Sequence, residues 1–511
     1  MIAILDFGSQ YTKLIARKIR EFNIYCEVLP HSSTAEDLRK FKAEGVILSG
    51  GPRSTFEKNA PTCDEKIFDL GVPVLGICYG MQLMTKLCGG EVKQGKSQEY
   101  GPANLYIDSN FDLFKGLWLE MSIWMSHGDS VVRMPEGFQR IGHTDSCDIA
   151  AMSDTKRNLY GVQFHPEVSH TPKGKEMLHN FIFSACKCKE NWTSESFIKS
   201  SILDINNRVK NERVLCALSG GVDSTTVAAL LKKAIGNRLT CMFIDQGYMR
   251  KDEGKRIKKV FEEDYNINLI YIDASERFIN KLKGISDPEE KRKKIGEEFI
   301  RVFEEESKKL SGEFKFLAQG TLYPDVIESA VGDVSETAVT IKSHHNVGGL
   351  PEDIDFEIIE PLRMLFKDEV RKVGIELGLP EELVHRHPFP GPGLAIRILG
   401  ETDREKVQTL QDADWIIMDE IKKAGLYRKL WQVFGVLLPI KTVGVQGDQR
   451  TYSNVLAIRA VNSDDAMTAN WAHLPYEILD KISARVINEV SNINRVVYDI
   501  SSKPPSTIEW E

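Results

Sequence analysis

Cys78 is the residue whose neighbours point most directly to chemistry. It lies in residues 74–80 (VLGICYG), where an apolar run ends in the pattern G-x-C-x-G and a helical periodicity begins. A sharp strand-to-helix turn needs small residues on both sides and lifts the central side chain above the sheet. The N-terminus of the following helix favours a thiolate over a thiol. The spacing therefore predicts a cysteine nucleophile, since a merely packed cysteine would not need the flanking glycines.

A second group, His165 and Glu167, could assist that nucleophile. His165 ends another apolar run, and Glu167 follows it across Pro166. A carboxylate at this spacing can orient the imidazole as the third member of a triad. By itself the pattern also fits a packed histidine. The amide of Gly51, which follows a third apolar run, could face an oxyanion together with the amide of Tyr79.

A glycine-rich loop at residues 219–224 (SGGVDS) suggests phosphate chemistry. It follows the apolar run 214–218 and precedes a helical pattern. Consecutive glycines let backbone N–H groups converge on an anion, and the helix dipole adds to the attraction. Asp223 could hold Mg²⁺, and the serine hydroxyls could donate to phosphate oxygens. An ordinary strand-to-helix turn is the alternative.

Residues 90–97 (GEVKQGKS) satisfy the formal Walker A pattern, but their context does not. That phosphate site requires a strand before the loop and a helix after it. Here the helical pattern of residues 79–87 comes first, and residues 98–102 (QEYGP) follow. We therefore expect no nucleotide site at this position.

The elements that must position these residues alternate between strand and helix. Short apolar runs separated by amphipathic stretches such as residues 11–21 indicate parallel strands joined by crossover helices. We predict strands at residues 2–5, 45–48, 72–77, 213–218 and 239–244, and a helix at residues 225–234.

The end of the chain has a different character. After residues 387–393 (HPFPGPG) come strand-like runs at residues 455–461 and 496–500 and a helical pattern over residues 475–490. A chain of 511 residues is also too long for one hydrophobic core. We predict an α/β protein with two doubly wound parallel-sheet domains and a small C-terminal α+β domain. The expected bounds are residues 1–189, 190–386 and 387–511.

Bulk composition narrows the class of protein. The net charge of −8 argues against bulk nucleic-acid binding, and the apolar stretches are far shorter than the roughly 20 residues that cross a membrane. The first residues lack the basic segment and apolar stretch of a signal peptide. The nine cysteines lack zinc-site spacing and are typical of reduced thiols. We expect a cytoplasmic protein with small-molecule substrates, no nucleic acid and no membrane.

The two candidate sites each resemble a site of a known protein family. Residues 1–185 resemble the class I glutamine amidotransferases, and the loop at residues 219–224 resembles the pyrophosphatase loop of enzymes that cleave ATP to AMP and pyrophosphate. Over its whole length the chain resembles the glutamine-hydrolysing GMP synthase family. The stretches that carry this resemblance are residues 5–10 (LDFGSQ), 318–325 (AQGTLYPD), 342–346 (KSHHN), 366–370 (FKDEV), 387–393 (HPFPGPG), 443–448 (VGVQGD) and 502–511 (SKPPSTIEWE). Gln98 is a departure, because the family pattern has Arg before residues 99–101 (EYG).

The resemblance implies a glutaminase at the first site. Cys78 would be the nucleophile, His165 the general base and then the general acid, and Glu167 the residue that orients His165. The residues around bound glutamine would be Gln82, Ser126, His127, Gly128 and Asp129.

The resemblance also implies an ATP-dependent carbon–nitrogen ligase that uses glutamine as amido donor. Xanthosine 5′-monophosphate (XMP), ATP, glutamine and water would give GMP, AMP, pyrophosphate and glutamate, with Mg²⁺ accompanying ATP and no tightly bound cofactor. The ATP residues would be Ser219, Gly220, Gly221, Val222, Asp223, Ser224, Thr225, Asp325 and Lys367, with Asp223 as Mg²⁺ ligand. The XMP residues would be Arg292, Asp448, Lys503 and Glu509. A homodimer through the C-terminal domain is expected.

The sequence leaves open the structure of two segments and the choice between this function and two others. The charged residues 281–309 read as a solvated helical face, although in the family this segment orders over XMP. A chain end such as that after Lys503 often frays, and a docked end is equally compatible with the residues. The main rival function is a related ATP-pyrophosphatase acting on another acceptor, as in tRNA-modifying or NAD-forming enzymes. The other is a nucleotide-binding regulator without catalysis, against which the intact triad argues.

Overall fold

The computed structural model describes residues 1–310, 314–326, 356–446, 449–463 and 468–511, and leaves out the side chains of residues 96–98 and 446. The described chain forms two compact units, Met1–Phe197 and Ile198–Glu511. The expected division into three domains stays a prediction. Asp448, the stretch 342–346 and the side chain of Gln98 lie outside the described residues.

The first unit is built on one nine-stranded sheet. Its strands are β1 (Ile2–Asp6), β2 (Cys26–Pro30), β3 (Gly45–Leu48), β4 (Val74–Ile77), β5 (Glu91–Ile107), β6 (Glu120–Arg133), β7 (Gln139–His143), β8 (Ala151–Asp154) and β9 (Leu159–Val162). Its helices are α1 (Thr12–Arg20), α2 (Ala35–Lys40), α3 (Tyr79–Leu87) and α4 (Gly174–Asn180). The strand order is β2-β1-β3-β4-β9-β8-β7-β5-β6, parallel from β2 to β9 and antiparallel beyond.

The centre of the parallel part of this sheet is buried on both faces. Strands β3, β4 and β9 contain no exposed residue, which explains why their sequences are nearly continuous apolar runs. The predicted strand at residues 72–77 begins only at Val74, because Pro73 has no N–H to donate into a ladder. Of the Walker-like residues 90–97, all but Gly90 lie on strand β5, which follows helix α3 after a three-residue turn, so they lack the required strand-loop-helix context.

The second unit contains a parallel sheet and a smaller sheet near the chain end. Its strands are β10 (Val214–Leu218), β11 (Leu239–Asp245), β12 (Asn268–Asp273), β13 (Phe316–Ala318), β14 (Glu357–Ile359), β15 (Gln432–Gln446), β16 (Gln449–Asn462), β17 (Asn470–Trp471) and β18 (Ile493–Asp499). Its helices are α5 (Ser194–Val209, which starts before the unit boundary), α6 (Val222–Ile235), α7 (Glu253–Lys258), α8 (Ser275–Lys281), α9 (Pro288–Lys309), α10 (Lys367–Glu376), α11 (Glu381–Val384), α12 (Arg404–Lys423) and α13 (Tyr476–Glu489). The parallel sheet has the order β12-β11-β10-β13-β14, while β16 pairs antiparallel with β15 and β17 and parallel with β18.

One hydrophobic core joins the two sheets of the second unit. Leu215 on β10, Ile417 on α12 and Leu456 on β16 are all fully buried in it. The predicted α/β class, with two parallel-sheet regions and a small C-terminal α+β region, is confirmed. Among the described residues, no helix combines the length and the apolar character needed to cross a membrane.

Helix α9 differs from the solvated face expected for residues 281–309. It has a buried stripe that includes Ile295 and Val302, and the side chain of Lys291 is fully buried. The charged stretch is therefore solvated on one face only.

Candidate active site

Cys78 occupies the turn between strand β4 and helix α3. Its φ of +49° lies where non-glycine residues are uncommon, and such strain, worth about 1–3 kcal/mol, clusters at functional turns. Its amide donates to Val162 O at 2.7 Å, and the Gly80 amide donates to Ser49 O at 3.1 Å. A Cβ on Gly76 would stand 2.7 Å from the Gly80 backbone. The glycines on both sides are thus required by the turn.

His165 is oriented by Glu167 and interacts with Cys78. Glu167 Oε1 is 2.7 Å from His165 Nδ1, and the two side chains are 0% and 4% exposed. Burial lowers the pKa of His165, but the Glu167 carboxylate and a hydrogen bond with Cys78 outweigh it, so the pKa is raised well above its ordinary value. The Tyr11 ring packs edge-on against the imidazole at 5.1 Å between centroids. The arrangement favours an imidazolium beside the sulfur, as a thiolate nucleophile requires.

Gly51 lies against Tyr79, as the predicted oxyanion hole requires. A Cβ on Gly51 would stand 3.0 Å from Phe7 O and 3.2 Å from Tyr79 Cγ, so a larger residue would crowd the site. Tyr79 is the first residue of α3, where a helix has no acceptor one turn back for the amide. Its hydroxyl donates to Pro61 O at 2.6 Å, which holds the ring. The role of the two amides stays a prediction.

The residues predicted to surround glutamine lie on helix α3 and strand β6. Gln82 Nε2 donates to Asp129 O at 2.9 Å, and the Cys78 thiol donates to Ser126 O at 3.6 Å. His127 and Gly128 lie between these two positions on the same strand. The structure therefore brings the predicted glutamine set to Cys78, although glutamine binding itself stays a prediction.

Three polar partners of this site were missed in the sequence reasoning. Ser54 donates to the Asp129 carboxylate. Glu99 lies 3.4 Å from His127 Nε2; burial lowers the pKa of His127, and Glu99 offsets only part of that effect. Gln163 contacts the sulfur of Cys78. For Gln163 the sequence did hold a signal, since it is a polar residue two positions before His165 in an otherwise apolar run.

The loop at residues 219–225 consists of the turn after strand β10 and the first turn of helix α6, which begins at Val222. Gly220 has φ +73°, which favours glycine. Ser219 Oγ is 3.1 Å from Ser224 Oγ and accepts from the Gly221 amide at 3.3 Å. The loop follows the central strand of its sheet, with β11 and β13 on either side. Open parallel sheets bind ligands at such a switch point beyond the carboxyl ends of the strands.

Asp223 and Lys367 meet at this loop. Asp223 Oδ2 is 2.5 Å from Lys367 Nζ, while Oδ1 is buried without a hydrogen-bond partner among the residues that the structure describes. Such a buried oxygen needs a partner, and carboxylate oxygens are the ligands that Mg²⁺ prefers. Asp223 therefore fits the Mg²⁺ role predicted for it.

Asp325 follows Gly320, which packs beside the loop at residues 219–225. A Cβ on Gly320 would stand 3.4 Å from both Ser224 N and Asp223 Cβ. Asp325 Oδ2 accepts from the amide of Leu322 at 2.9 Å. Gly320 thus packs on the loop, and the role of Asp325 in ATP binding stays a prediction.

The chain end is docked, which answers the question left open by the sequence. Ile508 is buried. Glu509 accepts from Arg397 Nε and Nη2 at 3.0 and 2.8 Å, and from Gln432 Nε2 at 2.7 Å. A bidentate pair with a fully buried arginine is among the stronger side-chain contacts, so this end does not fray.

The described residues of the predicted XMP set lie in this chain end or against it. Arg292 donates to Glu511 O, and its neighbour Lys291 donates to Glu511 Oε2 at 2.5 Å. Lys503 exchanges backbone hydrogen bonds of 2.7 and 3.0 Å with Ala469. Their role in XMP binding stays a prediction.

Comparison with known protein families matches three parts of the chain. The family model described as glutamine amidotransferase class-I matches residues 3–185. The model described as NAD synthase matches residues 194–299, and the model described as GMP synthase C terminal domain matches residues 419–510. The first two matches contain Cys78 and the loop at residues 219–225, respectively.

Full-length relatives show the same combination. A GMP synthase (glutamine-hydrolyzing) from Gloeothece citriformis is 55% identical over 100% of this chain and 95% of its own length. Relatives of the same name from Thermosynechococcus vestitus and Prochlorococcus marinus are 57% and 58% identical over 100% of this chain and 96% and 98% of their own lengths.

Proposed function

The chain belongs to the glutamine-hydrolysing GMP synthase family, and we propose that it makes GMP from XMP, ATP, glutamine and water. The observation that carries this proposal is the presence in one chain of the Cys78–His165–Glu167 arrangement and of the loop at residues 219–225. The first group of residues supplies ammonia, and the second activates an acceptor with ATP.

Glutamine hydrolysis begins with transfer of the Cys78 proton to His165. The thiolate attacks the carboxamide carbon, and the resulting oxyanion meets the amides of Gly51 and Tyr79. His165 gives its proton to the departing ammonia, which leaves a thioester. Water then loses a proton to His165 and attacks the thioester, glutamate leaves, and the proton returns to the sulfur. Glu167 holds the His165 ring in place through both its neutral and its protonated states.

The acceptor oxygen of XMP is a poor leaving group until ATP activates it. That oxygen attacks the α-phosphorus of ATP, and pyrophosphate leaves. The backbone amides at the start of helix α6 and the ammonium of Lys367 hold the phosphate oxygens. Mg²⁺, bound by Asp223, would supply further positive charge to those oxygens. Neutral ammonia attacks the activated carbon, AMP departs with the oxygen, and the new amino group loses a proton to water.

XMP is assigned to Arg292, Lys503 and Glu509, together with Asp448. The position of the first three in or against the docked chain end supports the assignment. Domains are assigned to residues 1–189 for glutamine, 190–386 for ATP and 387–511 for XMP and dimer formation.

A cytoplasmic homodimer is the proposed assembly. Val443, Val445 and Tyr452 on strands β15 and β16 are 45%, 72% and 69% exposed, and exposed apolar side chains in one region mark an association surface. The nine cysteines, all within the described residues, are free thiols, which suits a reducing compartment.

The test is to incubate the protein with XMP, Mg-ATP and glutamine and to quantify the products. We expect GMP, AMP, pyrophosphate and glutamate in equal amounts. Pyrophosphate release that requires another acceptor in place of XMP would favour the rival ATP-pyrophosphatase function. Absence of GMP from the complete mixture would contradict the proposal.

A further inference from the structure

Gln163 is the buried side chain that links the nucleophile to the glutamine-side residues. Gln163 lies just beyond the end of strand β9, where its backbone N–H donates to Ala150 O at 2.8 Å. Its side chain is fully buried. Gln163 and His165 both reach Cys78 from the segment that follows this strand. Gln163 Nε2 lies 3.6 Å from the sulfur.

The hydrogen-bond network fixes which way the side-chain amide of Gln163 is turned. Asp129 O can only accept, so the group of Gln82 that lies 2.9 Å from it must be the NH₂. The same NH₂ lies 3.2 Å from Gln163 Oε1. If the side-chain amide of Gln163 were flipped, its NH₂ would face the NH₂ of Gln82, and its oxygen would face the sulfur of Cys78. Gln82 therefore keeps the Gln163 N–H group directed at Cys78.

The contacts of the sulfur differ between its two protonation states. As a thiol, Cys78 donates to Ser126 O at 3.6 Å. Once its proton has moved to His165, the sulfur can only accept, and Gln163 Nε2 is positioned to donate to it. A hydrogen bond to a charged group contributes more than one between neutral groups.

We propose that Gln163 is a further catalytic residue, which donates a hydrogen bond to the Cys78 thiolate and holds it for attack on glutamine. The inference rests on the proposed role of Cys78 as nucleophile. During acylation the S–C bond forms while the N–H of Gln163 stays with Gln163, so the residue stabilises charge and transfers no proton. Gln82, in turn, positions Gln163 through their shared hydrogen bond.

The experiment compares Gln163→Met and Gln163→Glu in the full chain. Met removes the donor at similar volume, and Glu sets an oxygen in place of the NH₂. The rate of Cys78 alkylation by iodoacetamide is followed from pH 5 to 9 by mass spectrometry of the peptide that contains Cys78. We expect kcat for glutamine hydrolysis to fall about 10- to 100-fold in Gln163→Met, and further in Gln163→Glu. The alkylation profile should move to higher pH in both variants.

Gln139→Glu is the matched control, because Gln139 is exposed on strand β7 of the same unit. Its kcat and alkylation profile should equal those of the parent. An unchanged profile and kcat in both Gln163 variants would overturn the proposal. A lowered melting temperature with an unchanged alkylation profile would do the same, since it would indicate packing alone. If neither variant folds, Gln82→Met must shift the profile in the same direction, and no shift there refutes the proposal. Full glutaminase activity in Cys78→Ala would instead refute the proposed nucleophile.

Discussion

Replacing Glu167 by Gln keeps the shape of the side chain and removes its charge. In the parent, Glu167 Oε1 accepts from His165 Nδ1 at 2.7 Å, inside a region where both side chains are almost fully buried. The carboxylate is what opposes the lowering of the His165 pKa by burial. In Glu167→Gln the imidazole therefore loses its preference for the protonated form. No charge then holds Nδ1, so the orientation of the ring and of its Nε2 atom is less well fixed.

The magnitude follows from the separation and burial of the two charges. At about 4 Å between charge centres and an effective dielectric constant of about 20, the attraction is worth about 4 kcal/mol. Since about 1.4 kcal/mol corresponds to a tenfold change in rate, its loss in the transition state predicts a decrease of about a thousandfold. Replacing the orienting carboxylate of a serine triad by an amide has a larger effect, about 10⁴-fold.

The assay is glutamate release at saturating glutamine, with ammonia-dependent GMP formation as the control for folding. Glu176→Gln is the matched variant, because Glu176 is half-exposed and pairs with Lys173 in the same unit. We expect kcat to fall about a thousandfold in Glu167→Gln and to stay unchanged in Glu176→Gln.

Stability gives an independent measurement of the same pair. Because the pKa of His165 is raised in the folded protein, the stabilisation is fully present below the ordinary histidine pKa and is lost as pH rises through the raised value. The free energy of unfolding of Glu167→Gln should therefore fall furthest below that of the parent at mildly acidic pH. Activity within threefold of the parent, with equal stability at all pH values, would refute the reasoning.

Further predictions concern both units. Cys78→Ala should abolish glutamine-dependent amination and leave ammonia-dependent GMP formation largely intact; equal loss of both activities would contradict the two-site proposal. Asp223→Asn should abolish pyrophosphate release from ATP even with ammonium supplied, and unchanged release would remove Asp223 from the metal site. Gly80→Ala should lower the melting temperature, because the new Cβ would stand 2.4 Å from Leu48 O. Burial lowers the pKa of Lys291, against an opposing effect of its ion pair with the chain end, so the free energy of unfolding of the parent should rise relative to Lys291→Met as pH increases toward 10.5.

The parts of the fold and site that are local in sequence could be predicted. The turn around Cys78 is decided by glycines within two residues of it, and the loop at residues 219–225 carries its own anion-binding geometry. Apolar runs of four to six residues also sufficed to place β1, β3, β4, β10 and β11, because buried parallel strands leave no other pattern.

Contacts between distant segments could not be predicted. The charged pattern around Lys291 resembles a solvated face, yet its Nζ finds the carbonyls of Ala395 and Ile398 at 3.2 and 2.7 Å and the carboxylate of Glu511. Those acceptors lie more than 100 residues away. Likewise, the bidentate contact of Arg397 with Glu509 spans 112 residues, and it is what converts a chain end of fraying composition into a docked one.

The pairing of β4 with β9 has a consequence for how the protein acquires its activity during folding. Val74–Ile77 is aligned with Leu159–Val162, so the strand that carries the nucleophile must close a long loop before it meets the strand that leads to the base. Loop closure of this kind forms late in folding compared with local helices. Until then the Cys78 thiol lacks its contact with His165. The rate at which Cys78 is labelled during refolding can thus report when strands β4 and β9 have paired.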